Sequence, residues 1–239
     1  MFLHFSCISE YGITSCFYVS PRLSSAWLYK PLYTKASTRV PLFKRKNGIC
    51  FWEAIRIYEN WRGYSGVYCK DGRRVVLRTL KWEDLDDLLD FINSLVEEGA
   101  NIIRSEKVSR EEEIEWLSGT LARMEKGEVF CVAGEVDGRV VANSEIKMGT
   151  GYSKHVGVIG IGIKKGFRGI GIGTEMMRAL EEHARKIGLK VLTLAVFANN
   201  QHAINLYRKM GFVETGRVPK RFFKDGAYID EIIMTKTLE

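Results

Sequence analysis

The chain has 239 residues, 46% of them hydrophobic and 27% charged, with a formal net charge of +7. That composition is ordinary for a soluble globular protein of one or two domains. No apolar run approaches the ~18 residues a membrane helix needs, so no membrane association is expected. The first twenty residues lack a basic leader and a continuous hydrophobic block, which argues against a signal peptide, and the cysteine pattern makes a reduced cytoplasmic setting the expectation.

The charge is unevenly placed. Residues 1–70 carry ten Lys or Arg against three Glu, so the whole excess lies there and the remainder balances. The balanced part has no basic surplus to offer nucleic acid, and none is expected as a partner. The same N-terminal stretch holds Cys7, Cys16, Cys50 and Cys69, without metal-ligand spacing, and three of the four prolines. Its cysteines point to neither a metal site nor a disulfide framework. Residues 1–72 therefore read as an extension and 73–239 as the folded domain. Phe51–Arg62 has the spacing of a short amphipathic helix. Three readings of the extension stay open: a docking segment, a basic arm using Lys44-Arg45-Lys46, or upstream translation joined by a misplaced start, the last being favoured.

From Arg73 the elements follow in order. Arg73–Leu80 reads as a strand, and Lys81-Trp82-Glu83-Asp84 leads into a helix with Leu85, Leu88, Leu89, Ile92, Leu95 and Val96 on one face, ended by Gly99. Ser109 and Glu112 have capping-box spacing and open a second helix with the stripe Ile114, Leu117, Leu121 and Met124. Glu128–Val136 and Arg139–Lys147, joined by Asp137-Gly138, form a hairpin. Val156–Ile163 alternates Val and Ile with Gly157, Gly160 and Gly162. Glycine in a strand marks close approach of another backbone or a ligand, and this strand reads as bared for a ligand. A helix over Thr174–Ile187, a strand at Lys190–Val196, a helix capped by Asn200 and closed by Gly211, and a hairpin through Asp225-Gly226 complete the chain. A single Gln in a domain rich in Glu, Lys, Arg and Ile leans towards a thermophile.

Between the bare strand and its helix lies Arg168-Gly169-Ile170-Gly171-Ile172-Gly173-Thr174. Successive amides in a glycine turn at a helix N-terminus form an anion site. The dinucleotide fingerprint fails here because Thr174 occupies its third glycine position, and the phosphate loop fails for want of a correctly placed Lys. Arg168, Gly171 and Gly173 do fit Gln/Arg-x-x-Gly-x-Gly/Ala. Downstream, Asn200-Gln201-His202-Ala203-Ile204-Asn205-Leu206-Tyr207-Arg208-Lys209-Met210-Gly211-Phe212 follows Asn-x-x-Ala-Ile-x-Leu-Tyr-x-Lys-x-Gly-Phe at almost every fixed place. Both motifs resemble those of the GNAT superfamily of N-acetyltransferases, nearest in pattern to amino-acid, small-amine and ribosomal-protein alanine acetyltransferases. The element order matches that layout from end to end.

The resemblance implies an α/β fold of the α+β kind. Its mixed, mostly antiparallel sheet is splayed between the fourth and fifth of these strands and carries helices on both faces. It implies acetyl-CoA in the splay with no metal, the pantetheine arm pairing with backbone at Ile161, Gly162 and Ile163. The pyrophosphate falls on Arg168, Gly169, Ile170, Gly171, Ile172, Gly173 and Thr174, with Asn200 and Tyr207 nearby; Ile170 and Ile172 pack beneath the turn. Tyr207 matches the family's general acid. His155 is placed where related enzymes carry a Glu base, with Glu145 second, and one of Asp230 and Glu231 faces the site; a water chain remains open. Residues 100–108 and 217–224 wall the acceptor. The expected acceptor is an amino acid or small amine, with a protein N-terminus or lysine as alternative. A silent acyl-CoA sensor on the same fold, and a homodimer, stay open.

Overall fold

The computed structural model of the protein describes residues 66–239. The helix expected at Phe51–Arg62 and the basic triplet lie outside them. Eight strands form one sheet: β1 (Val67–Tyr68), β2 (Arg74–Arg78), β3 (Val129–Val136), β4 (Arg139–Met148), β5 (Val156–Ile163), β6 (Val191–Phe197), β7 (Val213–Lys224) and β8 (Ala227–Thr237). Their spatial order is β1-β2-β3-β4-β5-β6-β8-β7, and among the described residues only β5 and β6 run parallel. Four α-helices cover the sheet: α1 (Leu85–Glu97), α2 (Arg110–Glu125), α3 (Ile172–Lys186) and α4 (Gln201–Lys209).

Local signals set most boundaries. Ser109 and Glu112 close a reciprocal capping box at the start of α2, which offsets two of the donors a helix start leaves unpaired. Asp137-Gly138 and Asp225-Gly226 turn with both residues at positive φ, near 50° and 77° in each case, as a two-residue hairpin requires. Asn200 Oδ1 accepts from the Ala203 amide at 3.3 Å and Gly211 follows α4 at φ 87°. The helix after the glycine turn begins at Ile172, two residues earlier than expected.

One apolar cluster, with Leu88, Leu117, Met124 and Cys131, joins α1 and α2 to one face of the sheet. A larger one, with Ile146, Met176, Met177, Leu180, Leu192 and Met234, joins α3 and α4 to the other. The expected stripe on α2 needs correction. Ile114 is 36% exposed, and Glu113, 5% exposed, faces inward instead with Leu117, Thr120 and Met124. The sheet also begins six residues before Arg73, since Val67 and Tyr68 pair with Val75 and Arg74.

Candidate active site

The parallel pair β5–β6 lies inside the sheet, flanked by β4 and β8. It is joined only at Val156↔Val191, Gly157↔Leu192 and Val158↔Thr193, and the two strands then part. Along the other edge β5 stays paired with β4 from Gly157 to Ile163. The Val156 carbonyl accepts from Gly149 and the Lys164 amide donates to Val141, both on the β4 side. Strand alternation then turns the backbone groups of Ile161 and Ile163 to the opposite edge. Among the described residues no strand pairs with that edge beyond Val158. A wedge with a free β edge is a ready template for an extended, amide-bearing ligand.

The glycine turn sits at the open end of this fork. Gly166, Gly169 and Gly171 have φ of 84°, 77° and 112°, and Gly171 caps α3. Phe167 donates to Lys164 and Thr174 to Gly171, but the amides from Arg168 to Gly173 meet no acceptor among the described residues. Together with the positive end of α3 they fit a diphosphate. The turn is braced from residues before and at Arg73. Lys70 donates to the Ile170 carbonyl at 2.9 Å, and the Arg73 guanidinium donates to Gly166 at 2.8 Å while lying over the Phe167 ring.

The strand glycines serve the protein's own packing. A Cβ on Gly157 would stand 2.7 Å from Ile146 and 2.8 Å from Leu189, and one on Gly162 would stand 3.0 Å from Phe91. Gly162 also turns its backbone to β4, away from the open edge, and its missing side chain gives α1 a seat. Gly173, likewise, lets Leu206 of α4 and Ile163 close on the start of α3. Ile172 is buried and Ile170 packs against the same core, as expected.

Arg168 is engaged: its Nε donates to the Ile163 carbonyl at 2.7 Å and its guanidinium pairs with Glu98 at the end of α1. It spans the open edge instead of lying free on the rim. Asn200 spends its side-chain oxygen on the α4 cap. Tyr207 is buried on α4, beside Leu206, and burial pushes its phenol up to about 12. It therefore stays protonated through the neutral range, the form a proton donor needs.

The expected base does not join this group. His155 is exposed, and its carbonyl accepts from Lys190 and Val191 where β5 and β6 are still joined. It precedes Ile161 by about 20 Å of extended chain. Glu145 does join it. Paired across β4–β5 with Gly160, its carboxylate lies against that glycine at the point where the strands part, with Lys147 at 2.7 Å. Of the closing-strand pair, Asp230 is tied to the Lys220 amide at 2.8 Å and to Arg217, which together hold its carboxyl below the usual range. There it pins the β7 bulge between Val218 and Phe222, where Lys220 takes φ 54°. Glu231 pairs with Phe197, on the sheet face of Glu145.

The two expected acceptor walls meet. Lys224, at the tip of the β7–β8 hairpin, donates to the carbonyls of Gly99 and Ala100 and to Asn101. Because β7 and β8 lie beyond β6 and α1 sits over β5, this contact crosses the fork on the α1 face. Arg217 pairs with Glu214 and Asp230, and Arg221 approaches Glu231 at 3.8 Å, so the basic rim is largely neutralised from within. Lys224 carried no sequence signal for this; its partners are remote in the chain.

Residues 88–212, more than half of the chain, match the acetyltransferase (GNAT) family. The chain belongs to that family and is an N-acetyltransferase. Over 158 residues, 65% of this chain and 90% of the relative, it is 27% identical to the L-methionine sulfoximine/L-methionine sulfone acetyltransferase of Pseudomonas paraeruginosa. The crystal structure of the ribosomal-protein-alanine N-acetyltransferase from Brucella melitensis superposes with a TM-score of 0.61 at 28% identity, over 68% of this chain and 99% of that one. A GNAT phosphinothricin acetyltransferase from Sinorhizobium meliloti, solved with acetyl-CoA, gives 0.62 at 20% identity over 69% and 88%, a likeness of fold.

Proposed function

We propose that the chain moves the acetyl group of acetyl-CoA to the primary amine of an amino acid or other small amine, by direct attack on the thioester. The observation that carries this reading is the fork itself: among the described residues, a β edge at Ile161 and Ile163 that no strand pairs with and that ends in a turn whose amides meet no acceptor. The pantetheine arm would pair with the edge and the diphosphate with the turn, Arg168 exchanging its hold on Ile163 for the ligand.

The chemistry asks three things of the chain. An alkylamine of pKa ~10 must lose a proton at a cost of about 4 kcal/mol at pH 7, and Glu145, beside Gly160, would take it directly or through water. The carbonyl oxygen gains charge as the amine nitrogen bonds to its carbon, and the Ile161 amide is the donor at hand. As the C–S bond breaks, the thiolate needs a proton, for which Tyr207 is the candidate. Cys131, cross-strand from Glu145, is pushed up to about 12 by burial and by that carboxylate. A thiol so held is no nucleophile, which supports direct transfer over a covalent acyl-enzyme.

The bridge from Lys224 to the loop after α1 favours a small acceptor, since a peptide would have to pass beneath it. The Pseudomonas relative's amino-acid-like substrates point the same way. The test is a screen of amino acids, polyamines and peptide N-termini for release of free CoA. Turnover confined to small amines is expected; turnover of peptides alone would replace this reading with protein N-terminal acetylation, and none at all would favour a silent sensor.

A further inference from the structure

The glycine turn takes its shape from outside itself. Gly166, Gly169 and Gly171 all stand at positive φ, and a run so rich in glycine swings freely unless its peptide planes are fixed. Among the described residues, the turn's own backbone bonds run from Phe167 to Lys164 and from Thr174 and Glu175 to Gly171. The carbonyls of Gly166 and Ile170 are taken instead by the β1–β2 hairpin. The Arg73 guanidinium donates to Gly166 at 2.8 Å, its central carbon 4.6 Å from the centre of the Phe167 ring. The Lys70 amide donates to Ile170 at 2.9 Å.

In a planar trans peptide the C=O and N–H point opposite ways. Drawing the Ile170 carbonyl onto Lys70 therefore turns the Gly171 N–H away from the hairpin, where it meets no acceptor among the described residues. Holding Gly166 and Phe167 likewise fixes the entry to the amides that follow, from Arg168 onwards. The hairpin is itself anchored. Val67 and Tyr68 pair with Val75 and Arg74, Cys69 is buried in the larger core, and the Cys69 amide donates to the Arg73 carbonyl at 2.7 Å. Asp71 aims the guanidinium, accepting from the Arg73 Nε at 2.7 Å and from the Arg73 amide at 3.2 Å.

We propose that Arg73 is a positioning residue for the acetyl donor. By holding the Gly166 carbonyl and the Phe167 ring it keeps the turn amides aimed at a diphosphate, and so sets how strongly the protein prefers a donor that carries one. The proposal rests on the reading of the fork as the acetyl-CoA site. A turn ordered beforehand spares the ligand the cost of ordering it. Arg74, next in the chain, carries the same charge but has its side chain beside Gly66, which makes it the matching control.

The experiment measures, by calorimetry on the full chain, the affinity for acetyl-CoA and for S-acetylpantetheine, which ends before the diphosphate. Loss of one hydrogen bond from a charged donor corresponds to about tenfold, so Arg73→Met should weaken acetyl-CoA by about that factor and S-acetylpantetheine by less than about twofold. Arg73→Lys should recover part of the preference. Asp71→Asn, which keeps the guanidinium but loosens its aim, should lose part of it and decides the matter if Arg73→Met folds poorly. Arg74→Met should change neither affinity. Equal weakening of both donors would reduce Arg73 to a structural role and overturn the proposal. A preference unchanged in both Arg73→Met and Asp71→Asn, or lost equally in Arg74→Met, would overturn it too. A natural protein with no preference for acetyl-CoA over S-acetylpantetheine would overturn the reading of the turn itself, and this proposal with it.

Discussion

Tyr207, Glu145 and His155 separate cleanly at the level of single side chains. With its phenol pushed up to about 12, Tyr207 should produce no alkaline limb in the rate profile below about pH 10. Tyr207→Phe should lower kcat while sparing acetyl-CoA affinity. Glu145→Gln should cost roughly 10²–10⁴ in kcat/KM, the usual range for a general base, whereas His155→Ala should change little. Steady-state kinetics of the three variants check this, and a severe loss at His155 would put the base elsewhere. His183 governs a different property. Buried and stacked 3.6 Å from Phe130, it is held down to about 4, by burial first and Lys186 second. The unfolded chain binds that proton near pH 6.5 and the fold refuses it until about 4. The contribution is thus complete above pH 6.5 and is lost as the pH falls towards 4, on the order of 3 kcal/mol. Denaturant midpoints between pH 7 and 4.5 should show the loss, and His183→Leu should flatten it; an unchanged slope would contradict the assignment.

Among the elements, the β7–β8 hairpin is the part whose role can be isolated. Lys224 is its tether to the loop that follows α1, and Lys224→Met should raise the KM of a small acceptor severalfold with little change in acetyl-CoA affinity. Calorimetry alongside kinetics separates the two, and an unaltered acceptor KM would remove the hairpin from the acceptor site. The hairpin turns, the Ser109 box and the ends of α4 were legible in the sequence because each depends on residues within five of one another. The strand glycines were legible as close approach but not as to what approaches. Phe91 and Leu95 sit about seventy residues from Gly162, and no pattern in β5 names them. Ile114 and Glu113 show the same limit on α2, where a carboxylate took an inward place that periodicity had given to isoleucine.

For the molecule as a whole, the motif order gave the family's fold and the parting of β5 from β6, since both rest on where turns and strands fall along the chain. Which carboxylate reaches the fork depends on strand register. Opposite Gly160, Glu145 has its place from β4–β5 pairing, while His155 fell at the joined end of the same strand. The brace of Lys70 and Arg73 beneath the glycine turn lies at and before the expected domain start, in sequence with no motif of its own. The fork is what all of these parts position, and the account stands on acetyl-CoA occupying it as an added strand. Amide hydrogen exchange with and without acetyl-CoA reads this residue by residue. Protection is predicted at Ile161, Ile163 and the amides from Gly169 to Gly173, with Gly160 and Gly162 unchanged because they already face β4. Acetyl-CoA that binds while leaving Ile161 and the glycine turn as exposed as before would contradict it.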